Sequence, residues 1–74
     1  MEKSIVNKIG FTVRHYRKEK KMTQEQLANA AELRQALISE LESGKLDVRI
    51  DTLNRLATAL GSSMAQLFDE TKRG

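Results

Sequence analysis

The chain has 74 residues and a mass of 8.4 kDa, room for one domain and no separate catalytic unit. It holds no cysteine and one histidine, His15, which excludes disulfide staples, thiol nucleophiles, cysteine-ligated metal and a histidine-only metal site. A net charge of +3 and a pI near 9.5 point weakly to an anionic partner such as nucleic acid. Charged residues make up 31% and mean hydropathy is −0.52. No apolar run approaches the ~20 residues of a membrane span, and MEKSIVNKIG lacks the apolar core of a secretory signal. A soluble chain in the cytoplasm, with no cofactor and no metal, is the expectation. Aromatic residues are 4%, so the core must be aliphatic.

In chain order, the apolar residues keep helical spacing. Ile5, Ile9, Val13 and Tyr16, with Val6 beside them, form one stripe of an amphipathic helix. The cationic run Arg17–Lys21 suits its C-terminal end, and a solvated helix end explains it equally well. Gly10 costs roughly 1 kcal/mol against alanine inside this helix, unless it permits a close helix contact. Thr23-Gln24-Glu25-Gln26 matches a capping box and opens a second helix carrying Leu27, Ala28 and Ala31. No glycine closes that helix, yet a break near Glu32 is needed, because Leu33, Leu37, Ile38 and Leu41 start a new phase. Ser43-Gly44 ends the third helix, Gly44 suiting the left-handed position. Residues 45–49 read as a loop. Ile50, Leu53, Leu56, Ala57 and Leu60 define a fourth helix, with Asp51 in its first turn and Gly61 as its stop. Ser62 or Ser63 caps a fifth, with Met64, Leu67 and Phe68, and the tail from about 69 is expected to fray.

Charge is unevenly spread. Residues 1–21 hold seven Lys/Arg against two acids, residues 22–44 hold Arg34 against four glutamates, and residues 45–74 hold five cations against four acids. A basic first helix and an acidic centre result. Two helices separated by a few residues, the first one capped, make the helix-turn-helix arrangement.

Thr23, Gln24, Leu27, Ala28, Ile38, Leu41, Glu42, Gly44 and Lys45, within TQEQLANAAELRQALISELESGK, resemble the Cro/Xre family of lambda-repressor-like DNA-binding domains. Leu53, Leu56, Ala57, Ala59, Leu60, Gly61 and Leu67-Phe68 look like that family's fourth and fifth helices. Val13-Arg14 and Arg17 look like the end of its first. The resemblance implies an all-α, compact five-helix domain over residues 1–74, with the helix-turn-helix at helices 2 and 3. Ala28 would then sit where the two helices cross, with Ile38 packed into the crossing. The resemblance also implies a buried structural ion pair between Arg17 and Glu42. The chain departs from the family pattern at Glu32 (a frequent glycine), Arg34 (a frequent Ser/Thr cap), Val48 (a frequent proline) and Arg49 (a frequent Ser/Thr cap).

By the same resemblance the third helix enters the major groove and the second crosses the phosphates. Base contacts fall to Gln35, Ser39, Arg34, Glu40 and Ala36. A glutamine can bond adenine at two atoms, a glutamate can accept from a cytosine amine, and a small side chain can meet a thymine methyl. For Glu40 and Ala36, plain surface residues are equal readings. Phosphate contacts fall to Gln24, Ser43, Lys45 and Arg14, Gln24 acting with the positive end of its helix. Lys18 and Lys20 are peripheral candidates. No catalytic residue is expected, and His15 faces solvent. The implied protein is a transcriptional regulator, a repressor, binding a palindromic operator as a homodimer. Its dimer face lies on the last two helices, at Leu67, Phe68 and Met64, unless these fill the core. A restriction–modification controller or an antitoxin-type autoregulator with a protein partner fits the same motif. A helical protein-interaction module without DNA binding is the reading from another class.

Overall fold

The computed structural model describes residues 5–46 and 48–73. Five helices follow one another: α1 Ile5–Glu19, α2 Gln24–Ala31, α3 Gln35–Glu42, α4 Ile50–Ala59 and α5 Met64–Arg73. No strand occurs among the described residues. α1 packs against α3 and α5, α2 against α3 and α4, and α4 against α5. The all-α, five-helix arrangement expected from the spacing is the observed one.

The core is aliphatic. Ile9, Val13, Leu27, Ile38, Leu41, Leu53, Leu56, Leu60 and Leu67 are fully enclosed, each contributing about 1.5–3 kcal/mol of apolar burial. Ala28, Ala31 and Ala57 are buried at the crossings, where small side chains let the backbones approach. Of the first stripe, Ile9 and Val13 face the core and Tyr16 packs against its edge. Ile5 and Val6, assigned to the same stripe, have side chains outside the described residues. Ile50, counted with the apolar stripe of α4, is 65% exposed: it opens the first turn, beyond the edge of the core.

Gly10 explains its own cost. A Cβ built there would lie 1.9 Å from the Leu41 carbonyl oxygen and 2.9 Å from its carbon. The backbone of α1 therefore rests directly on the C-terminal end of α3.

Four helices close in the same way. A residue one or two positions past the helix takes the left-handed conformation, and its amide and the next one return to the last carbonyls, a Schellman closure. Gly44 (φ 76°) and Gly61 (φ 70°) do this for α3 and α4. Lys21 (φ 57°) and Glu32 (φ 59°) do it for α1 and α2 without a glycine. At α2 the amide of Glu32 donates to the Asn29 carbonyl and that of Leu33 to the Ala28 carbonyl at 2.8 Å. The break near Glu32 thus needs no glycine, but the Glu32 Cβ stands where it costs roughly 1–2 kcal/mol.

Two expectations are corrected. The tail does not fray from about 69, because α5 continues to Arg73. Thr71 is buried; its hydroxyl donates to the Leu67 carbonyl at 2.7 Å and bonds the Thr12 hydroxyl of α1 at 2.7 Å. Leu67, offered as a dimer-face residue, has no exposed surface and belongs to the core. Met64 and Phe68 are half-buried against it.

Candidate nucleic-acid interface

α2 starts on a complete capping box. Thr23 Oγ accepts from the Gln26 amide at 3.0 Å, and Gln26 Oε1 accepts from the Thr23 amide at 2.8 Å. Both bonds satisfy amides that the helix itself leaves unpaired. α3 starts differently. Arg34 takes the extended N-cap conformation and makes no side-chain cap bond. Between them the turn of Glu32, Leu33 and Arg34 sets α3 across α2.

One side of α3 is buried and the other is open. Ile38, Leu41 and Glu42 point inward. Leu37 is half-buried against the core. Arg34, Gln35, Ala36, Ser39 and Glu40 are all exposed, so the structure brings the five base-contact candidates onto one outward surface. The phosphate candidates divide. Arg14, Gln24 and Ser43 line one cleft with Lys18, Ser39 and the Arg17–Glu42 pair. Lys45 is exposed past the end of α3, outside the residues lining that cleft. Ser43 Oγ donates to the Glu40 carbonyl at 3.0 Å. Lys20 goes elsewhere: it lines a groove between α1 and α5 with Gln66 and Glu70, and its Nζ lies near Gly61. Of the two peripheral lysines only Lys18 joins the cleft.

Arg17 and Glu42 form a two-point ion pair. Arg17 Nε donates to Glu42 Oε2 at 2.7 Å and Nη2 to Oε1 at 3.0 Å. Nη1 donates to the Met22 carbonyl at 2.7 Å. Both residues are buried, 8% and 5% exposed. The hydrogen bond to Glu42 raises the Arg17 pKa above its usual value; burial opposes this and the Glu42 charge adds to it. The guanidinium stays charged at any pH in which proteins fold. With Glu42 neutralised internally, the acidic centre of the sequence is less acidic at the surface than its composition suggests. Among the described residues Glu40 has no such partner, and it is exposed.

The sequence alone missed one contact. Gln24 Nε2 donates to Glu42 Oε1 at 3.1 Å, so the first residue of α2 is tied to the last residue of α3. No signal in the sequence marks a bond between positions 18 apart. Among the described residues no three His, Cys, Asp or Glu side chains gather as a metal site, and no helix is long and apolar enough to cross a membrane. His15 is exposed, 3.6 Å from Glu19.

Comparisons with known proteins agree with this geometry. A family model described as "Helix-turn-helix" matches residues 13–67. The "Immunity repressor protein" of Bacillus phage phi105 is 32% identical over 62 residues, which are 84% of this chain and 43% of that protein; the chain thus spans less than half the length of this relative. The clp gene regulator ClgR from C. glutamicum superposes with a TM-score of 0.92 at 30% identity, over 99% of this chain and 94% of that one. The restriction–modification controller protein C.Esp1396I, solved as a tetramer in complex with its natural 35 base-pair operator, superposes with a TM-score of 0.87 at 29% identity, over 97% and 95% of the two chains. The chain belongs to the helix-turn-helix family of Cro/Xre type.

Proposed function

We propose that this chain is a sequence-specific DNA-binding transcriptional regulator, a repressor, that binds a palindromic operator as a homodimer with α3 in the major groove. The observation that carries this is the outward surface of α3. Five exposed side chains able to meet base edges stand there, Arg34 at the N-cap and four on the eight-residue helix itself, which packs against α1 and α2. Such a helix is ~12 Å long, about the width of the major groove. Gln35 reads adenine, Ser39, Arg34 and Ala36 contact neighbouring bases, and Glu40 accepts from a cytosine amine. Gln24, Ser43, Lys45 and Arg14 hold phosphates. The named relatives, an immunity repressor and a controller solved on its operator, support the reading.

One eight-residue helix reads few base pairs, so two copies on half-sites ~34 Å apart supply the specificity. The apolar side chains that α4 and α5 leave exposed or half-buried, Ile50, Met64 and Phe68, form the contact between copies. Work in the cytoplasm as a binding protein rather than an enzyme follows from the same reading. A restriction–modification controller is a second reading, favoured by the near-complete mutual coverage with C.Esp1396I.

Selection of bound sites from a random DNA pool tests the proposal. A palindromic consensus, bound with an affinity that falls steeply with salt, is the expected result. No binding at ~50 mM salt, where phosphate contacts are strong, would leave a protein-interaction module as the function.

A further inference from the structure

We propose that Glu42 is a positioning residue for DNA binding, holding the Gln24 amide at the start of α2 so that the buried ion pair sets the geometry of the phosphate-facing end of that helix. The proposal rests on the DNA-binding reading above. Its basis is a bond beyond those that pair the two buried charges. Arg17 and Glu42 already satisfy each other through two hydrogen bonds of 2.7 and 3.0 Å, and Arg17 closes the link to α2 through the Met22 carbonyl. Glu42 Oε1 nevertheless accepts a further bond from Gln24 Nε2 at 3.1 Å. The removal of Gln24 would leave no buried charge without a partner.

The bond does three things for an incoming phosphate. A glutamine side chain is flexible, and its ordering in a complex opposes binding; here a carboxylate that is itself immobile orders it in advance. Only the amide nitrogen can donate to a carboxylate, so the bond fixes which end of the amide faces Glu42. One amide hydrogen is engaged and the second remains for an acceptor in the cleft that Arg14, Lys18 and Ser39 also line. Arg17 meanwhile neutralises Glu42, which would otherwise be a buried anion next to a phosphate. The ion pair is thus both the anchor of Gln24 and the reason an acidic residue is tolerated at that place.

Replacement of a buried ion pair by apolar residues of similar volume is often neutral or stabilising, so Arg17→Met with Glu42→Met removes the anchor and keeps the fold. Affinity for the selected operator is measured by fluorescence anisotropy across a salt series for the wild type, Gln24→Ala, the Met/Met variant and their combination. Gln24→Ala and the Met/Met variant are each expected to weaken binding about tenfold. The combination should be no weaker than either, and the salt slope should not change, because no phosphate-bound cation is removed. In the unaltered free protein the Gln24 side-chain amide should have an NMR order parameter near that of rigid backbone, about 0.85, a readout independent of the variants' folding. Wild-type affinity in the Met/Met variant, multiplicative losses in the combination, or a Gln24 amide order parameter below about 0.6 would each overturn the role given to Glu42 and leave the DNA-binding reading standing. A wild-type chain that binds no DNA at low salt overturns both.

Discussion

The two ends of α3 are built on opposite terms. Its C-terminal end is pinned. The Leu41 carbonyl meets Gly10 of α1 without room for a Cβ, Glu42 holds Arg17 and Gln24, and Gly44 closes the helix in the conformation glycine favours. Its N-terminal end is loose by comparison. Glu32 holds a left-handed conformation that disfavours it, and Arg34 caps the helix with its backbone alone. The difference teaches where the domain places its stability and where it accepts a cost. The end that orients α3 is held by two helices, α1 and α2. The end proposed to read bases carries Arg34, Gln35 and Ala36, and Arg34 stands where a Ser, Thr, Asp or Asn would cap the helix.

The largest effects should come from the pinned end. Glu42→Ala leaves the Arg17 guanidinium buried and alone, and should lower the unfolding free energy by about 3–5 kcal/mol, measured by urea titration. Gly10→Ala forces α1 off α3 and should cost roughly 3 kcal/mol or more; a loss under about 0.5 kcal/mol, the range of an ordinary surface change, would mean that the two backbones do not touch. At the reading end the effects should fall on DNA rather than on folding. Gln35→Ala should cost ~1–3 kcal/mol on the selected operator and relax the preference at one base step; unchanged preference in a competition assay would place the groove register elsewhere. Smaller still, Arg34→Ser supplies the missing cap and should add about 1 kcal/mol of stability, a rise of roughly 4–8 °C in Tm for a chain of this size, while it weakens DNA binding. If Arg34→Ser changed neither, the two ends of α3 would not differ in the way described.

The helices themselves were legible because each boundary has a local cause. Thr23 and Gln26 carry the capping box in four consecutive residues, and Gly44 and Gly61 mark two stops. The break at Glu32 was legible as a turn without its usual glycine, and the structure shows that Glu32 itself takes the left-handed conformation. The faces of the helices were legible only in part. A stripe such as Met64, Leu67 and Phe68 looks the same whether it meets its own core or a second copy; burial places Leu67 in the core and leaves Met64 and Phe68 half-buried at its edge. Ile50 shows the reverse case, an apolar residue in phase with a stripe yet 65% exposed. Likewise Lys18 and Lys20, two residues apart, lie on different surfaces because α1 turns ~100° per residue and ends at Glu19.

Periodicity, capping residues and the absence of cysteine determined by themselves that this is a five-helix, all-α chain with an aliphatic core and no metal chemistry built on cysteine or on its one histidine. These are properties of single segments and of composition, and local physics is enough for them. The resemblance of spaced residues pointed further, to the helix-turn-helix family and to Arg17 paired with Glu42. Only the tertiary structure decided that Gln24 joins this pair, that Thr12 and Thr71 tie α1 to α5 across 59 positions, and that Arg14 and Lys18 share a cleft from which Lys20 is turned away. Each of these depends on which helices meet and at what distance. An 8.4 kDa chain with a net charge of only +3 therefore owes its candidate DNA surface to arrangement: one glutamate is neutralised inside, and selected cations are brought beside α3.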